Sequence, residues 1–176
     1  LYAPAGCEIR DSKDMTLDEM IGWLIAQAGQ HQTVVRLQTG DPGLYGALIE
    51  MTRPLTTAGI EWAVVPGVSS AMASMAAAGE TLTLPEITQT VTLTRVAGRT
   101  PMPPGEELEA LAAHKTTLCI YLSITLLHKV QEALLAAGWS EDSPILVVQK
   151  ASWPGEEKIV RGTIKDIKRK CQDEKI

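Results

Sequence analysis

Short apolar runs bounded by turn residues alternate with stretches of helical period along this chain of 176 residues, and that alternation constrains the fold more than any other feature. It is the pattern of βα units around a mainly parallel sheet, so the expected fold class is α/β. Strands are expected over residues 7–10, 33–37 and 61–65. Residues 16–28 read as a helix capped by Asp14 or Thr16, with Leu17, Met20, Ile21, Leu24 and Ile25 on one face. Residues 44–58, ended by Gly59, and the Ala-rich stretch 69–78 read as the next helices. A polar connection then leads to a second lobe, with the boundary near 80–89. The expected domains are an N-terminal α/β lobe, 1–88, incomplete at its start, and a C-terminal α/β lobe, 89–176, incomplete at its end.

In the second lobe, residues 90–96, 116–122 and 145–149 read as strands, and 158–161 as a partner for the last of these. Helices are expected over 106–113, 125–137 and 163–171, the last with Ile164, Ile167 and Cys171 facing inward. Residues 98–105 hold Pro101, Pro103 and Pro104 and must be a loop. Aromatic residues make up only 4% and Phe is absent, so the core has to be aliphatic.

Charge and cysteine usage exclude several function classes. Sixteen Lys and Arg stand against 21 Asp and Glu, a net charge of −5 that argues against a nucleic-acid partner, because such proteins gain affinity by neutralising phosphates. Cys7, Cys119 and Cys171 are far apart and form no CxxC pair, which fits a reducing, cytoplasmic compartment and gives neither a disulfide framework nor a zinc site. No His, Cys, Asp or Glu spacing argues for a metal. No apolar run reaches the roughly 18 residues of a membrane span, and no signal pattern opens the chain. The first residue is not Met, so the chain is expected to start after processing or within a longer protein.

Two glycine-rich turns are the strongest candidates for chemistry. Thr39-Gly40-Asp41-Pro42-Gly43-Leu44-Tyr45-Gly46 follows the expected strand 33–37, at the carboxyl end where open α/β sheets bind ligands. The alternative is purely structural: Asp41 suits a helix N-cap and Pro42 the first helical position. The glycines fall as GxxGxxG and no GK[ST] follows, so neither a dinucleotide motif nor a P-loop is present. Pro66-Gly67-Val68-Ser69-Ser70 follows the next expected strand in the same way. It lacks the closing Gly of a nucleophile elbow, and His31, His114 and His128 lie in no triad context, which disfavours a serine hydrolase. Arg95 and Arg99, four residues apart at a strand end, suit bidentate capture of carboxylates, with surface charges as the plainer alternative. The seven basic residues from Lys158 to Lys175 read as the solvated face of the last helix.

Taken together, TGDPGLYG, VPGVSSAMASMAA, Ile87-Thr88-Gln89-Thr90-Val91, LTRVAGRTP and AGWSEDSPILVVQKASWP resemble the tetrapyrrole methylase family from about Pro4 to Lys170. The last three point to the branch that methylates corrin precursors in cobalamin synthesis. The resemblance implies two α/β lobes with S-adenosylmethionine, leaving as S-adenosylhomocysteine, in a cleft between them. It implies cofactor contacts at Thr39, Gly40, Asp41, Ser69, Ser70, Leu122 and Ala151, a tetrapyrrole held near Arg95 and Arg99, and Asp41 and Tyr45 as the catalytic candidates. It also implies a homodimer, and a terminally truncated chain drawn from a protein of about 250 residues. A sister methylase acting at another ring position, and a non-enzymatic binding module, stay open as alternatives.

Overall fold

The structure is a computed structural model that describes residues 3–176. The chain divides into two compact units, Leu1–Ser69 and Ser70–Ile176. The division falls ahead of the stretch 80–89 read as the lobe boundary from sequence. The helix beyond Ser70 is tied into the second unit by Arg161, which donates to the Ala78 carbonyl at 2.7 Å and pairs with Glu80 at 2.7 Å.

In the first unit, α1 (Leu17–Ala28) starts on a capping box. Thr16 Oγ1 accepts from the Glu19 amide at 3.2 Å, and the Thr16 amide donates to the Glu19 carboxylate at 2.7 Å, so two otherwise orphaned donors are satisfied. Leu24 is its buried anchor, and α1 packs on α2 (Leu48–Thr57), which buries Met51 and Thr52. Helix α2 begins four residues later than the apolar spacing suggests. Tyr45 (φ 56°) and Ala47 (φ 51°) are left-handed, and a helix cannot propagate through that conformation. The expected strands 7–10, 33–37 and 61–65 form no β-ladder among the described residues. A strand exists only through a neighbour, and these runs find none; Val35, Leu37 and Val65 are exposed as a result.

The second unit opens with α3 (Ser70–Ala78). Strand β1 (Val91–Arg95) pairs in parallel with β2 (Thr117–Tyr121), and the crossover between them carries α4 (Leu108–Ala112). A 3₁₀ turn (Ile124–Leu126) leads into α5 (Leu127–Ala136). Strands β3 (Pro144–Gln149) and β4 (Lys158–Thr163) pair, as the sequence suggested, and do so antiparallel; α6 (Ile167–Asp173) follows. Helix α6 starts later than residue 163 because β4 extends to Thr163. The mainly parallel sheet expected for the whole chain is therefore reduced to one parallel and one antiparallel pair among the described residues.

The core is aliphatic, as the composition requires. Leu108, Ala112, Val130, Leu134 and Ile164 form one cluster, with Leu118, Ile120, Trp139 and Ile145 packed around it. Val160, Ile167 and Cys171 form a second, adjoined by Leu127 and Val147. The inward positions expected on the last helix, Ile164, Ile167 and Cys171, are all buried.

Candidate functional site

In the first unit the two glycine turns meet. Asp41 accepts from the Gly43 amide at 2.8 Å through Oδ1 and from the Gly67 amide at 2.9 Å through Oδ2. The helix-start alternative for Asp41 and Pro42 is thereby overturned: no helix begins there, and Asp41 spends its carboxylate on a turn 26 residues away. Both amide bonds favour the ionised form and hold the Asp41 carboxyl below its ordinary range, the Gly67 bond contributing most. Gly67 is required by contact, since a Cβ there would overlap the Gly40 carbonyl. Gly46 is likewise crowded by the Pro42 carbonyl and the Gln38 side chain, which keeps the first turn tight.

Thr39 lies exposed before this clamp, Gly40 takes the left-handed conformation (φ 76°), and Ser69 is half-buried after the second turn. Tyr45 stands partly exposed on the first turn with its strained backbone. His31, His114 and His128 are exposed, and His31 Nε2 lies 4.0 Å from the Glu8 carboxylate.

In the second unit, Ser70 begins α3, and the remaining candidates sit at carboxyl ends of strands. Leu122 follows β2 directly, left-handed (φ 54°) and 74% exposed. Ala151 follows β3 between two left-handed residues, Lys150 (φ 52°) and Ser152 (φ 68°). Non-glycine residues held in this region cost of order 1–3 kcal/mol each and concentrate where a backbone must be aimed.

Arg95 and Arg99 differ sharply. The Arg95 guanidinium donates to the carbonyls of Thr100 at 2.9 Å and Pro101 at 2.7 Å, folding the proline-rich loop back onto its own strand. Arg99 is exposed on that loop and, among the described residues, has no hydrogen-bond or ion-pair partner. Ser123 escaped the sequence reading. It is buried, accepts from the Val96 amide at 3.0 Å and donates to the Tyr121 carbonyl at 2.6 Å, joining the ends of β1 and β2 next to Arg95 and Leu122 in the chain. Its position in Ile-Tyr-Leu-Ser, at a strand end, was the available signal.

No group of three or more His, Cys, Asp or Glu among the described residues is arranged to hold a metal, and no described helix is long and apolar enough to cross a membrane.

Against known families, residues 3–168 match the model for the tetrapyrrole (corrin/porphyrin) methylases. The chain belongs to this family. Among methylases of known sequence it is 48% identical, over 162 residues, to the cobalt-precorrin-4 C(11)-methyltransferase of Priestia megaterium, covering 92% of the present chain and 62% of that relative's length. Among solved structures, a cobalt precorrin-4 methyltransferase of cobalamin biosynthesis superposes with a TM-score of 0.93 at 45% identity, over 99% of this chain and 72% of the other. The uroporphyrin-III C-methyltransferase of Thermus thermophilus, solved with S-adenosylhomocysteine, superposes with a TM-score of 0.72 at 26% identity, over 91% and 68% of the two chains. The mixed α/β architecture is thus that of the methylase family, and this methylase chain spans somewhat under two thirds of the Priestia megaterium relative.

Proposed function

We propose that this chain carries out S-adenosylmethionine-dependent methylation of a corrin precursor, precorrin-4 or cobalt-precorrin-4, at C11 in cobalamin biosynthesis. The observation that carries this reading is the 48% identity, over 162 residues, to a methyltransferase of that name. The proposed cofactor contacts are Thr39, Gly40 and Ser69 of the first unit and Ser70, Leu122 and Ala151 of the second, with Asp41 contributing to the same site. The residues suit such a group. Side chains are small or absent at Gly40, Ser69, Ser70 and Ala151, and the space beside the Gly40 backbone is open, which suits the approach of an adenosyl ligand.

When bound, S-adenosylmethionine supplies an electrophilic methyl group on a sulfonium. The work left to the protein is orientation and exclusion of water, and positioning alone is worth up to roughly 7–11 kcal/mol of a barrier. Glycines, hydroxyls and left-handed main chain meet that need without a strong acid or base. Arg99 is assigned to substrate carboxylates, and Arg95 to the same substrate site through the loop it holds. Tyr45, on the turn after Asp41, is the proposed group for handling the proton released from the substrate. A cytoplasmic location and a homodimer complete the proposal; free Cys7, Cys119 and Cys171 support the first, and the second rests on the family.

Mass-spectrometric detection of methyl transfer tests the reaction, with precorrin-4, cobalt-precorrin-4 and uroporphyrinogen III offered as alternative acceptors. Methylation of uroporphyrinogen III in preference to either precorrin would overturn the assigned ring position.

A further inference from the structure

We propose that Asp41 is a positioning residue: it clamps the Gly67 turn against the 40–43 turn and acts on cofactor affinity through the Gly67 amide, without touching cofactor or substrate. This deepens the reading above and rests on it. The carboxylate divides its two oxygens between two turns, one bond local to Gly43 and one bridging 26 residues to Gly67. The runs 33–37 and 61–65 that lead into the two turns share no β-ladder among the described residues, so no ladder fixes the spacing of the turns that Asp41 bridges. It is also a close-tolerance joint, since the Gly40 carbonyl fills the space where a Gly67 side chain would begin. Bonds from main-chain amides to an ionised carboxylate are roughly twice as strong as neutral ones, and no charged side chain contributes to holding Asp41 ionised.

The expected consequence is specific. Asp41→Asn preserves shape but leaves one neutral acceptor oxygen and sets a donor against the other amide, so in either side-chain orientation the Gly67 bond is lost or loses its charge assistance. S-adenosylhomocysteine should then bind about tenfold more weakly by calorimetry, the loss expected of one charge-assisted bond. At neutral pH the Gly67 amide proton should move upfield in the nitrogen–proton correlation spectrum. Gly67→Ala, which forces the same joint apart while leaving Asp41 intact, should weaken binding as well. In methyl-transfer kinetics Asp41→Asn should raise the KM for S-adenosylmethionine and leave kcat within about twofold, whereas a catalytic role would lower kcat. Loss of affinity in Asp41→Asn with an unmoved Gly67 amide would mean that Asp41 reaches the ligand itself, and equal affinity would mean that the clamp does nothing; either result overturns the proposal. If the wild-type chain binds no S-adenosylhomocysteine while the Gly67 amide still responds to Asp41→Asn, the cofactor reading fails and the clamp itself stands.

Discussion

The indole Nε1 of Trp139 donates to the main-chain carbonyl of Ala112 at 2.9 Å, joining the turn after α5 to the last turn of α4. Ala112 is fully buried, and its carbonyl also accepts from the Lys115 amide at 3.1 Å, so the indole supplies one of two bonds. The Trp of the GWSEDSP motif is therefore a structural tie within the larger core cluster. Trp139→Phe keeps a ring there but drops the donor. It should cost about 1 kcal/mol, the net worth of one such bond when the carbonyl keeps its other partner, read as a lower urea midpoint at unchanged slope.

Ile164 and Ile167 are both fully buried, one in each core cluster. Either residue changed to Ala should destabilise the chain by about 2–5 kcal/mol, the range for a large aliphatic side chain lost from a close-packed site. Urea unfolding of the two single variants checks it. A loss below about 1 kcal/mol at both would show that the aliphatic core collapses around the deletions.

Asp166 is held down to about 2, first by the Lys170 ammonium at 2.8 Å and then by the Thr163 amide at 2.7 Å. A carboxyl depressed in the folded state contributes stability that is present above its unfolded value near 3.8 and is lost as pH falls through about 2. The stability difference between the wild-type chain and Asp166→Asn should accordingly be constant near neutrality and vanish between about pH 4 and pH 2. Urea midpoints across that interval measure it.

Arg95 and Arg99 should separate experimentally. Arg99→Gln should raise the tetrapyrrole KM by up to about fivefold, the ceiling for an exposed charge contact of roughly 1 kcal/mol, and leave S-adenosylhomocysteine affinity unchanged. Arg95→Gln removes the donors to Thr100 and Pro101, so it should also speed proteolysis within residues 98–105, which Arg99→Gln should not. Identical protease sensitivity in the two variants would count against the loop-holding role of Arg95.

What the sequence by itself determined about this protein is whatever closes over a few residues. Helix α1, with its cap narrowed to Asp14 or Thr16, the short strands of the second unit, the stop at Gly138 and the burial of Ile164, Ile167 and Cys171 were legible, because helical bonds span four residues and period reports burial directly. The motifs were legible for the same reason, and the family with them. Tertiary structure alone decided the rest. Whether residues 33–37 and 61–65 become strands depends on partners that no local pattern supplies, and among the described residues they have none. Asp41 suited a helix cap as well as a ligand turn, because it is a good N-cap residue and Pro42 fits the first helical position; left-handed Tyr45 and Ala47 and a bond to Gly67 gave it another task. Arg95 and Arg99 looked equivalent until the loop turned back and its carbonyls took up one guanidinium. Each of these outcomes turns on which polar group satisfies which across a long stretch of chain, and such pairings are selected by the folded backbone as a whole.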